Sequence, residues 1–179
     1  YWKTYYPNGT LKTEGNRKDQ KLDSVWKFYG EDGKLQTEIS YQDDKKQGTK
    51  RTFSSEGNIL AEEQYEKNLK HGTSSTFYPS GKPKQKIIFD KGKEEGMAFE
   101  YDEEGNVIRM IEYSYGFMKN QDFVNRTDAE GRKAGMWKEF YPDFKIKNEA
   151  TYLEGKKNGY YKEYDPKGQL LNVYKYLMD

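Results

Sequence analysis

The sequence has no cysteine and a single histidine. Without thiols there can be no disulfide, thiolate metal site or cysteine nucleophile. A lone imidazole leaves a histidine-based triad or metal centre without partners. An excess of charge of one sign is also missing. The 31 basic and 30 acidic residues leave a formal net charge of +1, which gives no electrostatic footprint for nucleic acid, and no nucleic-acid partner is expected. No apolar run approaches the ~20 residues that would cross a bilayer as a helix. Apolar residues make up only 33% of the chain against 34% charged, a balance close to that of disordered sequences.

The aromatic content argues the other way. There are 17 Tyr, 9 Phe and 3 Trp, and disordered segments are poor in rings whereas half-buried pleated sheets are rich in them. The expected structure is therefore a thin β-sheet with a core built mainly of rings.

Glycine reveals a period. Gly9, Gly33, Gly57, Gly81 and Gly105 are spaced by 24 residues, and Gly48, Gly72 and Gly96 keep the same step, which Gly135 and Gly159 resume. We number each unit from the Gly48 position as zero, with Ser24 as its equivalent in the second unit. Position five then reads Tyr5, Tyr29, Phe53, Phe77, Tyr101, Phe140 and Tyr164, an aromatic in every copy. Position seventeen reads Arg17, Tyr41, Tyr65, Phe89, Tyr113, Tyr152 and Tyr176.

Turn signals such as Tyr6-Pro7-Asn8-Gly9 and Tyr78-Pro79-Ser80-Gly81 separate short strand-like runs, so each unit reads as a hairpin. A second, looser turn such as Asp43 to Gly48 would join it to the next. The prediction is an all-β fold: a single elongated, twisted antiparallel β-meander of seven 24-residue hairpin repeats, with about fourteen strands. Positions five, eleven, fifteen and seventeen are expected to line one face.

The period breaks once. Fifteen residues are added within 114–134, and Phe144 stands where a turn glycine is due. The expected organisation is repeats one to five over 1–113, an insertion or degenerate repeat over 114–134, and repeats six and seven over 135–179.

The stretches Gly-Met-Trp-Lys-Glu-Phe-Tyr-Pro (135–142) and Tyr-Leu-Glu-Gly-Lys-Lys-Asn-Gly-Tyr-Tyr-Lys-Glu-Tyr (152–164) resemble the variant MORN repeat. The run 125–133 resembles the lead-in unit common in such proteins. In bacteria these arrays are often grouped with YwqK-like antitoxins. The resemblance implies hairpins stacked into one long meander, and roles in membrane-surface binding, protein docking and dimerisation.

Candidate chemistry is sparse. His71 reads as a solvated residue of an inter-repeat turn. Glu14, Glu38, Glu62 and Glu149 recur at position fourteen. A catalytic carboxylate pair should be unique, so this ladder reads as a polar face rather than glycosidase chemistry. Lysines at the turns alternate with acids and read as a solubilising edge. Asn8-Gly9-Thr10 and Asn125-Arg126-Thr127 match glycosylation sequons. No phosphate loop or Ca²⁺ loop is present, and no catalytic residue, metal or cofactor is expected.

The rings admit two readings. Those at positions five and seventeen suit a core. Trp2, Trp26, Trp137, Tyr6, Tyr78 and Tyr141, at positions two and six, are candidates for an exposed surface that meets a protein or a glycan. The insertion carries Tyr115, Phe117, Met118, Phe123 and Val124. These would either complete a degenerate hairpin or form a recognition element on a rigid scaffold.

The candidate binding residues are thus Tyr115, Phe117, Met118, Phe123, Trp26 and Trp137. The expected function is a non-enzymatic scaffold for a protein partner, with an antitoxin-like role as its finer form. The alternative is a glycan- or lipid-surface-binding module of the bacterial envelope. Because Tyr1 already lies within a repeat, an upstream segment such as a cleaved export signal is expected. This favours an exported location, periplasm or cell surface, over the cytoplasm.

Overall fold

Two kinds of turn, each written into the repeat, generate the structure, a computed structural model that describes residues 1–178. Within a repeat, the tetrad ending in glycine closes a turn. In Tyr6–Thr10 the Gly9 amide donates to the Tyr6 carbonyl (2.9 Å) and the Tyr6 amide to the Thr10 carbonyl (2.8 Å), with Gly9 at φ +84°. Between repeats, two residues suffice. Asp43-Asp44 (φ 51° and 63°), Lys67-Asn68 (49° and 72°) and Tyr115-Gly116 (52° and 86°) all hold two successive left-handed residues, the backbone of the tight hairpin turn whose twist matches its strands.

The strands between these turns are β1 (Trp2–Tyr5), β2 (Leu11–Lys18), β3 (Lys21–Tyr29), β4 (Leu35–Gln42), β5 (Lys45–Phe53), β6 (Ile59–Glu66), β7 (Leu69–Phe77), β8 (Pro83–Asp90), β9 (Lys93–Glu94), β10 (Gly96–Tyr101), β11 (Val107–Ser114), β12 (Phe117–Phe123), β13 (Arg126–Thr127), β14 (Lys133–Phe140), β15 (Ile146–Leu153), β16 (Lys156–Tyr164) and β17 (Leu170–Tyr176). No helix occurs among the described residues, and the meander order is as expected. The expected single sheet is divided, however. β1 to β12 form one hydrogen-bonded sheet, with β9 attached to β8, and β13 to β17 form a second. The chain forms two compact units, Tyr1–Gly105 with Ile111–Asn120, and Asn106–Met110 with Gln121–Asp179.

The looser inter-repeat turn of the sequence reading is corrected. Lys45 and Lys46 already pair with Gln42 and Tyr41 in the β4–β5 ladder. Gly48 (φ +90°) sits inside β5, at an interruption where Tyr41 pairs with Lys46 and Ile39 with Lys50. Its glycine is needed for a left-handed bulge rather than for a turn. Ser24 holds the same conformation (φ +61°) without being glycine.

In the first unit the buried side chains include Trp26, Ile39, Phe89, Phe99, Tyr101 and Ile111, and in the second Val107, Met110, Val124 and Ala150. Trp26 lies flat on Gly15. A Cβ at that glycine would stand 2.4 Å from the indole, so only glycine fits beneath the ring.

The junction in the second unit depends on Asn125, which adopts φ +56°. Its Nδ2 donates to the carbonyls of Val107 (2.9 Å) and Lys138 (3.0 Å), and its Oδ1 accepts from the Lys138 amide (2.7 Å). The sequon reading of Asn125 loses its force, because the amide nitrogen that would carry a sugar already makes two hydrogen bonds.

Three substitutions test this account by urea denaturation. Gly15→Ala is expected to destabilise by roughly 2 kcal/mol, as overpacking does. Ser24→Gly is expected to stabilise by roughly 1 kcal/mol through relief of left-handed strain. Asn125→Ala is expected to cost about 2–3 kcal/mol from lost and orphaned hydrogen bonds.

Candidate binding surfaces

The ladder register decides which side chain reaches which face. Position two lies opposite position fifteen: Trp26 faces Ile39, Trp137 faces Ala150 and Tyr161 faces Tyr174. Toward the intra-repeat turn the register slips by one residue, so Thr4 pairs with Thr13 but Tyr5 with Leu11. Position twelve is left over as a bulge, and the parity of the strand inverts there. Positions two, fifteen and seventeen therefore share one face, and three, five, eleven and fourteen share the other. The expectation that five and seventeen line one face is corrected, since it counted along the strand without the extra residue.

The second face carries an ionic ladder. Position three lies opposite position fourteen, giving Lys3–Glu14 (3.8 Å), Lys27–Glu38 (3.7 Å), Arg51–Glu62 (2.8 Å) and Lys138–Glu149 (3.9 Å). Position-five tyrosines reach the same carboxylates: Tyr29 donates to Glu14 (2.7 Å) and Tyr164 to Glu149 (2.9 Å). The hydrogen bond from Tyr29 is the main reason the Glu14 carboxyl lies below its ordinary range. Burial, then the same bond, pushes the Tyr29 phenol up to about 12. The glutamates are thus the anionic half of a structural ladder. His71 lies in β7 rather than in a turn, with Nδ1 3.2 Å from Asp90 and Nε2 3.8 Å from Glu66.

Most rings proposed as an exposed surface have other tasks. Trp26 is only 5% exposed, and its Nε1 donates to the Asn16 carbonyl (2.7 Å). It is a core residue, which removes it from the candidate binding set. The hydroxyls of Tyr6, Tyr78 and Tyr141 donate to the carbonyls of Tyr29, Tyr101 and Tyr164 at 2.7–2.8 Å. Each thereby staples its repeat to the next. Trp2 does remain half exposed, with the Arg17 guanidinium 5.2 Å from its ring.

The insertion divides by role. Val124 is 1% exposed and belongs to the core. In the first unit, Tyr115, Phe117 and Met118 are 73%, 71% and 48% exposed. The Tyr115 amide is fixed by Glu95 Oε2 at 2.7 Å and the Gly116 amide by the Glu94 carbonyl at 2.9 Å. The corresponding residues are Asp43, Lys45 and Lys46, or Glu154, Lys156 and Lys157, and two further repeats place a single leucine there, Leu22 or Leu69. Three neighbouring polar sites have become apolar at one hairpin tip.

In the second unit, Phe123 is about half exposed between the guanidiniums of Arg126 (4.6 Å) and Arg109 (5.4 Å). Trp137 is half buried and donates from Nε1 to the Arg126 carbonyl (3.0 Å). It walls a cleft of about 120 Å³ together with Ala150, Tyr152, Tyr161, Lys133 and Lys157. Sequence reasoning found Trp137 but missed this cleft. Its signal was the combination of a lysine two residues before the zero glycine with a ring at position two, which occurs together at Lys133/Trp137 and Lys157/Tyr161.

Residues 1–19, 22–43 and 70–91 match the MORN repeat variant family. These three segments are similar to that repeat, and each includes a hairpin turn of the kind described above. No curated protein matches the chain.

The ladder makes stability depend on acid. Burial pushes the Glu149 carboxyl up, but hydrogen bonds from Lys162 and Tyr164 outweigh it, and the group lies below its ordinary value of 4.5. A carboxylate depressed on folding contributes stability above its unfolded pKa, and this is lost as pH falls through the folded value. Denaturation midpoints of the parent are expected to fall below pH 4.5, and Glu149→Gln is expected to lower the neutral-pH midpoint and flatten that acid dependence. An unchanged acid limb would remove Glu149 from the account.

Proposed function

We propose that the chain is a non-enzymatic repeat scaffold that holds a protein partner through the hairpin tip bearing Tyr115, Phe117 and Met118. The observation that carries this reading is the exposure of all three apolar side chains where other repeats place mostly acids and lysines and at most one leucine. Exposed apolar groups on a backbone fixed by hydrogen bonds lose little entropy on binding, and aromatic anchors of this kind dominate protein interfaces. The MORN-variant repeats support a scaffold role, because a stacked array supplies a rigid surface with little internal machinery. An antitoxin-like role is the finer form of the proposal, in which the captured protein is a toxin held inactive.

The double variant Phe117→Ser, Met118→Ser tests the reading. It is expected to lose a partner that co-purifies stoichiometrically with the parent from native cells, with a melting transition within about 0.5 kcal/mol of the parent, as for surface substitutions elsewhere. Retained capture by a folded double variant would overturn the assignment. The antitoxin form requires in addition that co-expression with the captured protein relieve growth inhibition, and that the double variant fail to do so.

A further inference from the structure

The second unit presents a site that the protein-docking proposal leaves unused, on the face holding positions two, fifteen and seventeen. Ala150 is 4% exposed and forms a floor, paired across the ladder with Trp137 on one side and Tyr161 on the other. Each flanking ring is covered by a lysine. Lys133 Nζ lies 4.3 Å from the Trp137 ring and 5.0 Å from Tyr152, and Lys157 Nζ lies 4.1 Å from Tyr161 and 4.8 Å from Tyr176. The rings hold both ammonium groups in place. Neither forms a salt bridge among the described residues. On the equivalent face of the first unit, by contrast, Lys70 and Lys50 close on Glu63 at 2.6 and 2.7 Å. The Glu163 carboxyl, lowered first by its hydrogen bond from Asn172, also feels the Lys157 charge, so Lys133 and Lys157 are held by rings and only partly offset by acids.

We propose that this face binds an acidic polysaccharide, a β-1,4-linked chain of uronate sugars lying across β14, β15 and β16, with Lys133 and Lys157 taking alternate carboxylates. The lysines occupy β14 and β16, two strand steps apart, or about 9.6 Å. A β-1,4-linked uronate chain is a flat ribbon whose alternate carboxylates fall on one side, once per disaccharide, a length close to that step. An extended acidic peptide repeats its same-side groups at roughly 6.7 Å and cannot meet both lysines in register. The far wall suits hydroxyls. Glu139 and Asn148 line it, joined by a 2.8 Å hydrogen bond from Asn148 Nδ2 to Glu139 Oε2, which leaves acceptor and donor capacity facing the cleft. Trp137 and Tyr161 act here by holding the two ammonium groups at the cleft, rather than by stacking on the sugar rings.

Titration calorimetry of the full chain with a β-1,4-linked mannuronate hexamer tests the proposal. Its controls are the same hexamer with carboxylates reduced to alcohols, and hexaglutamate. The charged hexamer is expected to bind, and both controls to bind at least tenfold more weakly. Lys133→Gln with Lys157→Gln is expected to weaken binding at least tenfold. Ala150→Leu, which fills the floor, should do the same while Phe117→Ser changes nothing. Because both lysines can be replaced without touching a buried group, the lysine variant should melt with the parent. Absence of binding, equal affinity for hexaglutamate, or full affinity in the folded lysine variant would each overturn the proposal.

Discussion

The extra residue at position twelve governs most of what this protein presents to its surroundings. Thr4 pairs with Thr13 and Tyr5 with Leu11, and similar slips recur at Phe28/Tyr29, Thr52/Phe53, Thr76/Phe77, Glu139/Phe140 and Glu163/Tyr164. Because side chains alternate strictly along a strand, one additional residue sends everything beyond it to the opposite face. That is why position-five tyrosines reach the carboxylates of position fourteen, and why the rings of positions two and seventeen meet each other. Without the bulge the ionic ladder and the aromatic rows would be mixed on both faces.

Repeats are then tied together by contacts too small to matter singly. The Asn68 amide donates to the Lys46 carbonyl, Gly92 to Lys70, Gly116 to Glu94 and Gly155 to Lys133, at 2.7–3.0 Å. Each inter-repeat turn thus rests on the one before it. The tyrosine staples at position six do the same at the other edge. A net contribution near 1 kcal/mol per hydrogen bond becomes substantial because it recurs at nearly every interface, the additive pattern expected of stacked repeats. The same regularity makes departures conspicuous. Phe144 adopts φ +65° in a turn where other repeats place glycine, a conformation that costs a bulky residue appreciable strain.

The two units use one repeat design for different ends. In the third repeat of the first unit, positions two and fifteen hold Lys50 and Glu63, whose charges pair with each other. Burial pushes the Glu63 carboxyl up, yet hydrogen bonds from Lys50 and Lys70 hold it below its usual range. In the second, rings and a small floor replace that pair, and the lysines are left facing solvent.

How much of this was legible in the sequence follows from which interactions are local. The 24-residue step, the hairpin turns and the all-β class rest on short-range chemistry, the φ of glycine and proline and the strand preference of rings, and these can be read one residue at a time. The exposed tip at Tyr115, Phe117 and Met118 was also readable, because a hairpin tip has nothing to cover it. The fate of Trp26 was not, since its burial requires Gly15 to lie beneath it on the neighbouring strand. Nor was the staple role of Tyr6, Tyr78 and Tyr141, which depends on a carbonyl 23 residues away. The cleft at Ala150 joins groups from three strands, and the Asn125 side chain reaches carbonyls 18 and 13 residues away. The sequence by itself determined the repeat and its turns. The tertiary structure alone decided which face each ring occupies, because a single bulged residue inverts the parity that sequence spacing assumes.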